Sequence, residues 1–182
     1  GRIHRAAINH GVLCTLGDRF LAALYRGIAA DPTCAVWVAE QDGRVVGFCA
    51  YTRNVSGMYR GVIRRNMLSL GLAALPRIFS PRIIKQAWDV FRYAKVQRQA
   101  RLPEAEILSV ALAPGEQGGG VGSRLLSAAV ERARADGEPR LKVMVGHELE
   151  AARRFYERNG FTLAGEILQH GDRLCVYVQE LT

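Results

Sequence analysis

Residues Glu106 to Leu126 read EILSVALAPGEQGGGVGSRLL, and three joined pieces can be distinguished in them. Glu106–Leu112 is an apolar, partly β-branched run of strand length. Ala113–Gly120 is a turn, marked by Pro114, Gly115 and Gly118-Gly119-Gly120. A helix is expected from Val121, because Val121, Leu125, Leu126, Ala129 and Val130 recur at three-to-four spacing. A glycine-rich turn that feeds a helix offers unpaired backbone N–H groups at the positive end of a helix dipole. That combination is an anion site made of main chain. No proline interrupts Gly115–Ser123, so no N–H is missing there.

The spacing excludes two phosphate loops. A Walker loop needs Lys followed by Ser or Thr after its last glycine, and Val121-Gly122 stands there instead. The G-x-G-x-x-G pattern also fails, since Ser123 or Leu125 falls where the third glycine belongs. What fits is Gln117-Gly118-Gly119-Gly120-Val121-Gly122, read as Q-x-x-G-x-G. This resembles the acetyl-coenzyme-A loop of the GNAT N-acetyltransferase superfamily, as does its approach through Val110-Ala111-Leu112-Ala113-Pro114. Further on, Ala152-Arg153-Arg154-Phe155-Tyr156-Glu157-Arg158-Asn159-Gly160-Phe161 is similar to that family's second signature, A-x-x-F/L-Y-x-x-x-G-F. The two matches lie in the family's order, with a helix and a strand between them. One departure is Leu149, where the family often carries an asparagine that touches the pantetheine arm.

Outward from this stretch the pattern alternates strands and helices. Leu16–Ala30 is an amphipathic helix with Phe20, Leu21, Leu24, Tyr25 and Ile28 on one face, stopped by Asp31-Pro32. Cys34–Glu40 and Arg44–Tyr51 read as strands joined by a hairpin at Gln41-Asp42-Gly43. Past the central helix, Asp136-Gly137-Glu138-Pro139 is a stop, Arg140–Val145 a strand and Leu149–Asn159 a helix. Phe161–Leu168 and Arg173–Glu180 form a second hairpin. The expected fold class is α/β (α+β): a twisted, mixed, mostly antiparallel sheet with helices on both faces, over one domain spanning residues 1–182. The resemblance implies that the family's fourth and fifth strands, here Glu106–Leu112 and Arg140–Val145, splay apart. It holds from the first helix onward, so the family's opening strand is expected to lie outside this sequence.

Gly57–Arg101 breaks the rhythm. It is helical in composition, punctuated by Gly71, Pro76 and Pro81, and holds ten basic residues against one acid, Asp89. The whole chain has a net charge of +8, so the rest is nearly neutral. We expect a basic helical insertion after the family's third strand. As a solvated face it needs no ligand. As a recognition surface it suits an anionic acceptor or peripheral contact with an anionic membrane; no nucleic-acid motif accompanies it.

Other bounds are plain. The length of 182 residues supports a sizeable core. No apolar run approaches the ~20 residues of a membrane span. Cys14, Cys34, Cys49 and Cys175 lack C-x-x-C spacing, which suits buried thiols in a reducing, cytoplasmic setting. The four histidines show no local metal-ligand spacing, and no metal is expected.

The resemblance implies transfer of an acetyl group from acetyl-CoA, as cosubstrate, to a primary amine. Main chain at Ala111 and Leu112 is expected along the pantetheine, with the Leu112 N–H as oxyanion donor. The N–H groups of Gln117, Gly118, Gly119, Gly120, Val121, Gly122 and Ser123 are expected on the pyrophosphate. Tyr156 is the candidate acid, since a phenol is protonated at neutral pH. Glu106, at the start of its strand, is the candidate base, with Glu104, His147 or water as alternatives. A small acceptor, with some preference for an anionic one, is the leading reading. A protein acetyltransferase and a non-catalytic acyl-CoA sensor are the others. Neither acceptor identity nor oligomeric state can be read from the chain.

Overall fold

The computed structural model describes residues 25–58, 60–61, 102–169 and 172–181. Among them, six strands form one sheet in the order β1-β2-β3-β4-β6-β5. They are β1 Cys34–Gln41, β2 Arg44–Thr52, β3 Glu106–Leu112, β4 Arg140–Gly146, β5 Thr162–Gln169 and β6 Asp172–Glu180. The described helical segments are α1 (residues 25–29), α2 (55–58, with 60–61), α3 Val121–Ala135 and α4 Glu150–Arg158. β3 and β4 run parallel; every other neighbouring pair is antiparallel. The mixed sheet expected from the sequence is therefore present. The beginning of the expected Leu16–Ala30 helix and most of the Gly57–Arg101 insertion lie outside the described residues.

Local chemistry accounts for the boundaries. The β1–β2 hairpin closes through a two-residue turn, Asp42 and Gly43, both at positive φ, the turn whose twist matches that of paired strands. Asp31 ends α1: its Oδ1 accepts from the Thr33 N–H at 3.0 Å and the Thr33 hydroxyl at 2.7 Å. α4 ends in a Schellman motif. Gly160 takes φ 86°, its N–H donates to Glu157 O, and the Phe161 N–H reaches back to Tyr156 O. The Phe161 and Tyr156 rings then meet edge to face at 5.7 Å. This is a physical reason for Y-x-x-x-G-F: Tyr and Phe are the apolar pair of a helix stop, and only glycine takes the left-handed residue between them cheaply.

The two faces of the sheet carry separate apolar clusters. Val121, Leu125, Leu126, Ala129, Val130 and Ala133 are the buried stripe of α3, packed with Tyr51, Ile107, Leu141, Val143 and Tyr177 of the sheet and Tyr156 of α4. Burying each of the larger side chains is worth about 1.5–3 kcal/mol. On the other face, Ile28 of α1 and Val55 and Met58 of α2 pack with Cys34, Val36, Leu108 and Met144. Helices thus cover both faces, and the parallel β3–β4 seam lies between the two layers.

Candidate active site

β3 and β4 pair only at Glu106–Lys142 and Ile107–Val143. Beyond that, each strand stays with its other neighbour. β3 follows β2 to Leu112–Gly47, and β4 follows β6 to Gly146–Leu174. From Leu108 onward the two strands part, leaving a wedge between Leu108–Leu112 and Met144–Gly146. The cause is a bulge. Ala50 of β2 faces Ser109 but Tyr51 faces Ile107, so Leu108 is one residue too many. A bulge bends its strand and increases the local twist. Side-chain parity records it: Ala105 and Ile107 join the α3 face, and so do Val110 and Leu112, while Leu108 packs on the opposite face.

The bulge also decides which main-chain groups face the wedge. The Ala113 N–H donates to Val46 O at 2.7 Å. Groups two residues apart on a strand point the same way, so the main chain of Ala111 is directed at β2, opposite Phe48. The main chain of Val110 and Leu112 turns the other way, into the wedge. Of the two residues read from the sequence as pantetheine contacts, Leu112 has its N–H in the gap and Ala111 has not; Val110 shares the position of Leu112.

The wedge leads to the glycine loop. Gly120 is the N-cap of α3 in a left-handed conformation, φ 75°, with no side chain capping the helix. Gly118 is also left-handed, φ 87°. Among the described residues, the N–H groups of Gln117 through Ser123 have no acceptor within hydrogen-bonding distance. A Cβ added at Gly118 or Gly119 would meet nothing within 4 Å, so the loop surface is open. Gly122 lies beneath it, and a Cβ there would touch Phe155 at 3.4 Å and Leu112 at 3.5 Å. Arg124, unremarked in the sequence, folds back over the loop, with Nη1 3.7 Å from the Cβ position of Gly120.

Glu106, the candidate base, is buried. Its Oε2 lies 3.1 Å from Lys142 Nζ, with the two side chains 6% and 0% exposed, and Lys142 also donates to Pro103 O. The pair spans β3 and β4 at the root of the wedge. The Glu106 Oε2 is therefore engaged by a buried ammonium where the two strands still pair. The rival Glu104 is engaged as well, accepting from the Ser56 N–H at 3.1 Å and hydroxyl at 3.0 Å, at the start of α2. His147 follows β4 and stands 3.1 Å from Glu166.

Tyr156 is 6% exposed, with its ring between those of Phe155 and Phe161. Burial first, then the nearby Cys49, pushes its hydroxyl well above the ordinary phenol value. Burial also pushes the Cys49 thiol up to about 12, so both groups are neutral and protonated at physiological pH. Beyond the bulge, the buried Ser109 Oγ has no hydrogen-bond partner. Neither Lys142 nor Ser109 was singled out in the sequence, because only strand register places them. A separate cavity of about 510 Å³ lies between β1 and α3, lined by Trp37, Gln41, Val46, Arg124 and Ala128 among others. It reaches the first turn of α3, where Val121 and Arg124 also line it.

A parallel strand pair opened by a bulge, with an uncapped glycine loop above it, agrees with what the sequence of residues 13–161 matches: the acetyltransferase (GNAT) family. The chain belongs to the GNAT family. Solved structures with the same fold include nourseothricin acetyltransferase, at 21% identity and TM-score 0.54, with 84% of this chain and 68% of that one covered. The Escherichia coli ribosomal-protein-S18-alanine N-acetyltransferase gives 13% identity and TM-score 0.60, covering 100% and 84%. A GNAT acetyltransferase from Elizabethkingia anophelis with acetyl-CoA bound gives 12% and 0.51, covering 93% and 87%. No protein of curated function matches the sequence. As a family, GNAT proteins are acyltransferases, and among the described residues of this one no helix is long and apolar enough to cross a membrane.

Proposed function

We propose that this GNAT chain transfers an acetyl group from acetyl-CoA to a primary amine by direct attack. The observation that carries the reading is the wedge, where the Val110 and Leu112 main chain and the open amides of Gln117–Ser123 form one continuous polar track. In this proposal the loop amides take the pyrophosphate, with the Arg124 guanidinium beside them. The pantetheine runs down the wedge, and the Leu112 N–H donates to the thioester oxygen as it becomes an oxyanion.

The chemistry then needs few side chains. The neutral amine attacks the thioester carbonyl, the C–S bond breaks, and the thiolate takes a proton from the Tyr156 hydroxyl. The amine proton leaves through water, because Glu106 and Glu104 are both committed elsewhere. Glu106 serves with Lys142 to hold the strands where they begin to part. The basic composition of residues 57–101 favours a small acceptor bearing negative charge over a polycation. A sensor that binds acyl-CoA without transfer is the second reading, favoured by the engagement of both carboxylates.

Release of free thiol from acetyl-CoA, measured across amino sugars, amino acids, peptides and polyamines, tests the proposal. Turnover on at least one anionic amine, lost in Gly120→Glu, is expected. Tight acetyl-CoA binding with no thiol release on any amine would replace the enzyme with the sensor.

A further inference from the structure

At the far end of the β4–β6–β5 half, three side chains from three elements meet. His147 comes from the turn after β4, Glu166 from β5 and Cys175 from β6. His147 Nδ1 lies 3.1 Å from Glu166 Oε1 and 3.6 Å from Cys175 Sγ, and Sγ lies 4.0 Å from the same Oε1. All three candidate ligand atoms fall within 4.8 Å of one another. We propose that His147, Glu166 and Cys175 form a zinc site, with the fourth position left to water.

The distances carry the argument. Tetrahedral zinc with Zn–N and Zn–O of about 2.1 Å and Zn–S of about 2.3 Å puts its ligand atoms about 3.3–3.6 Å apart. The observed triangle needs its S–O edge of 4.0 Å to close and its N–O edge of 3.1 Å to open, each by a few tenths of an ångström. A thiolate, an imidazole and one carboxylate oxygen select a borderline metal over magnesium or calcium. The surroundings aim the ligands. Arg173 Nη2 holds the other oxygen of Glu166 at 3.1 Å, which leaves Oε1 turned to the centre. The His147 main chain is fixed on both sides, its N–H donating to Arg173 O and its carbonyl accepting from Arg153. The Cys175 and Glu166 pair is in direct register across β5–β6. Cys175 itself is buried, while the His147 and Glu166 side chains are 43% and 35% exposed, so an ion has an approach from solvent.

Binding converts the Cys175 thiol to a zinc-bound thiolate and releases one proton to solvent. The site would pin the turn after β4, and with it the start of α4, to the outer hairpin. Glu166 and Cys175 belong to β5 and β6, on the opposite side of β4 from β3.

The test uses the full chain, stripped with chelator and titrated with Co²⁺. One equivalent should produce a thiolate-to-cobalt charge-transfer band, displaced by Zn²⁺ and absent in Cys175→Ser. Glu166→Gln, a change at an exposed side chain, should weaken Zn²⁺ binding at least 10-fold while circular dichroism stays unchanged. Cys14→Ser should keep the band. Zn²⁺ should also raise the melting temperature of the wild type but not of Cys175→Ser. No band at stoichiometric cobalt, or a band that survives Cys175→Ser or responds only to Cys14→Ser, overturns the proposal.

Discussion

The two seams of β4 are built differently. Toward β6 it pairs along its whole length, Arg140 to Gly146. Toward β3 it pairs at two positions and then departs. The complete seam makes a stiff antiparallel block with β5. The short seam joins that block to the β1–β2–β3 block and leaves main-chain polar groups unspent. Backbone groups left out of a ladder must find another partner, and a thioester arm with amide groups of its own suits them. The difference shows that this site is made by ending a sheet early, with a bulge at Leu108 to bend one wall and a buried ion pair to fix where the bend begins.

The largest effect is expected at that ion pair. Lys142→Met removes the buried ammonium from the Glu106 carboxylate, and should cost about 3–5 kcal/mol of unfolding free energy in urea titrations. Adding Glu106→Leu should restore most of the loss. A double variant that stays as unstable as the single one would mean the pair does more than balance charge. If Glu106 were instead the base, the double variant would be stable and inactive, whereas as a clamp it should retain measurable turnover.

A smaller effect is expected at the wall. Tyr156→Phe keeps the ring that packs on Phe161 and should lower kcat by about 100-fold, roughly 2.7 kcal/mol of barrier, with KM for acetyl-CoA little changed. An unchanged kcat would leave Tyr156 only its role in the helix stop. The same residue has a pH signature. Its folded pKa is raised, mainly by burial, so the stabilisation is complete below the unfolded value near ~10 and falls as pH rises through it toward the folded value. Tyr51 acts in the same sense, by burial and then by Asp136, to which its hydroxyl donates at 3.1 Å. Alkaline unfolding should therefore steepen above pH ~10 and be shallower in Tyr156→Phe.

What could be read from the sequence was local. The Asp42-Gly43 turn, the α3 stripe and the Tyr156–Gly160–Phe161 stop each depend on residues a few positions apart. Strand ends followed within a residue or two, as with Thr162–Gln169 against an expected Phe161–Leu168. The bulge was not legible, because EILSVAL is apolar on both faces and an inserted residue leaves no break in polarity. The Glu106–Lys142 pair and the His147–Glu166–Cys175 cluster depend on register between distant strands, which no spacing in the chain encodes. For the same reason nothing local to Glu106, the candidate base, marks it as buried and paired with Lys142.

The most direct test of the central claim is residue-specific: amide chemical shifts of the ¹⁵N-labelled chain during titration with acetyl-CoA. Saturable shifts are expected at Val110, Leu112 and Gln117–Ser123, with smaller ones at Met144–Gly146 across the wedge. Shifts confined instead to Trp37–Gln41 and Ala128, around the cavity between β1 and α3, or no saturable shift at all, would contradict the claim.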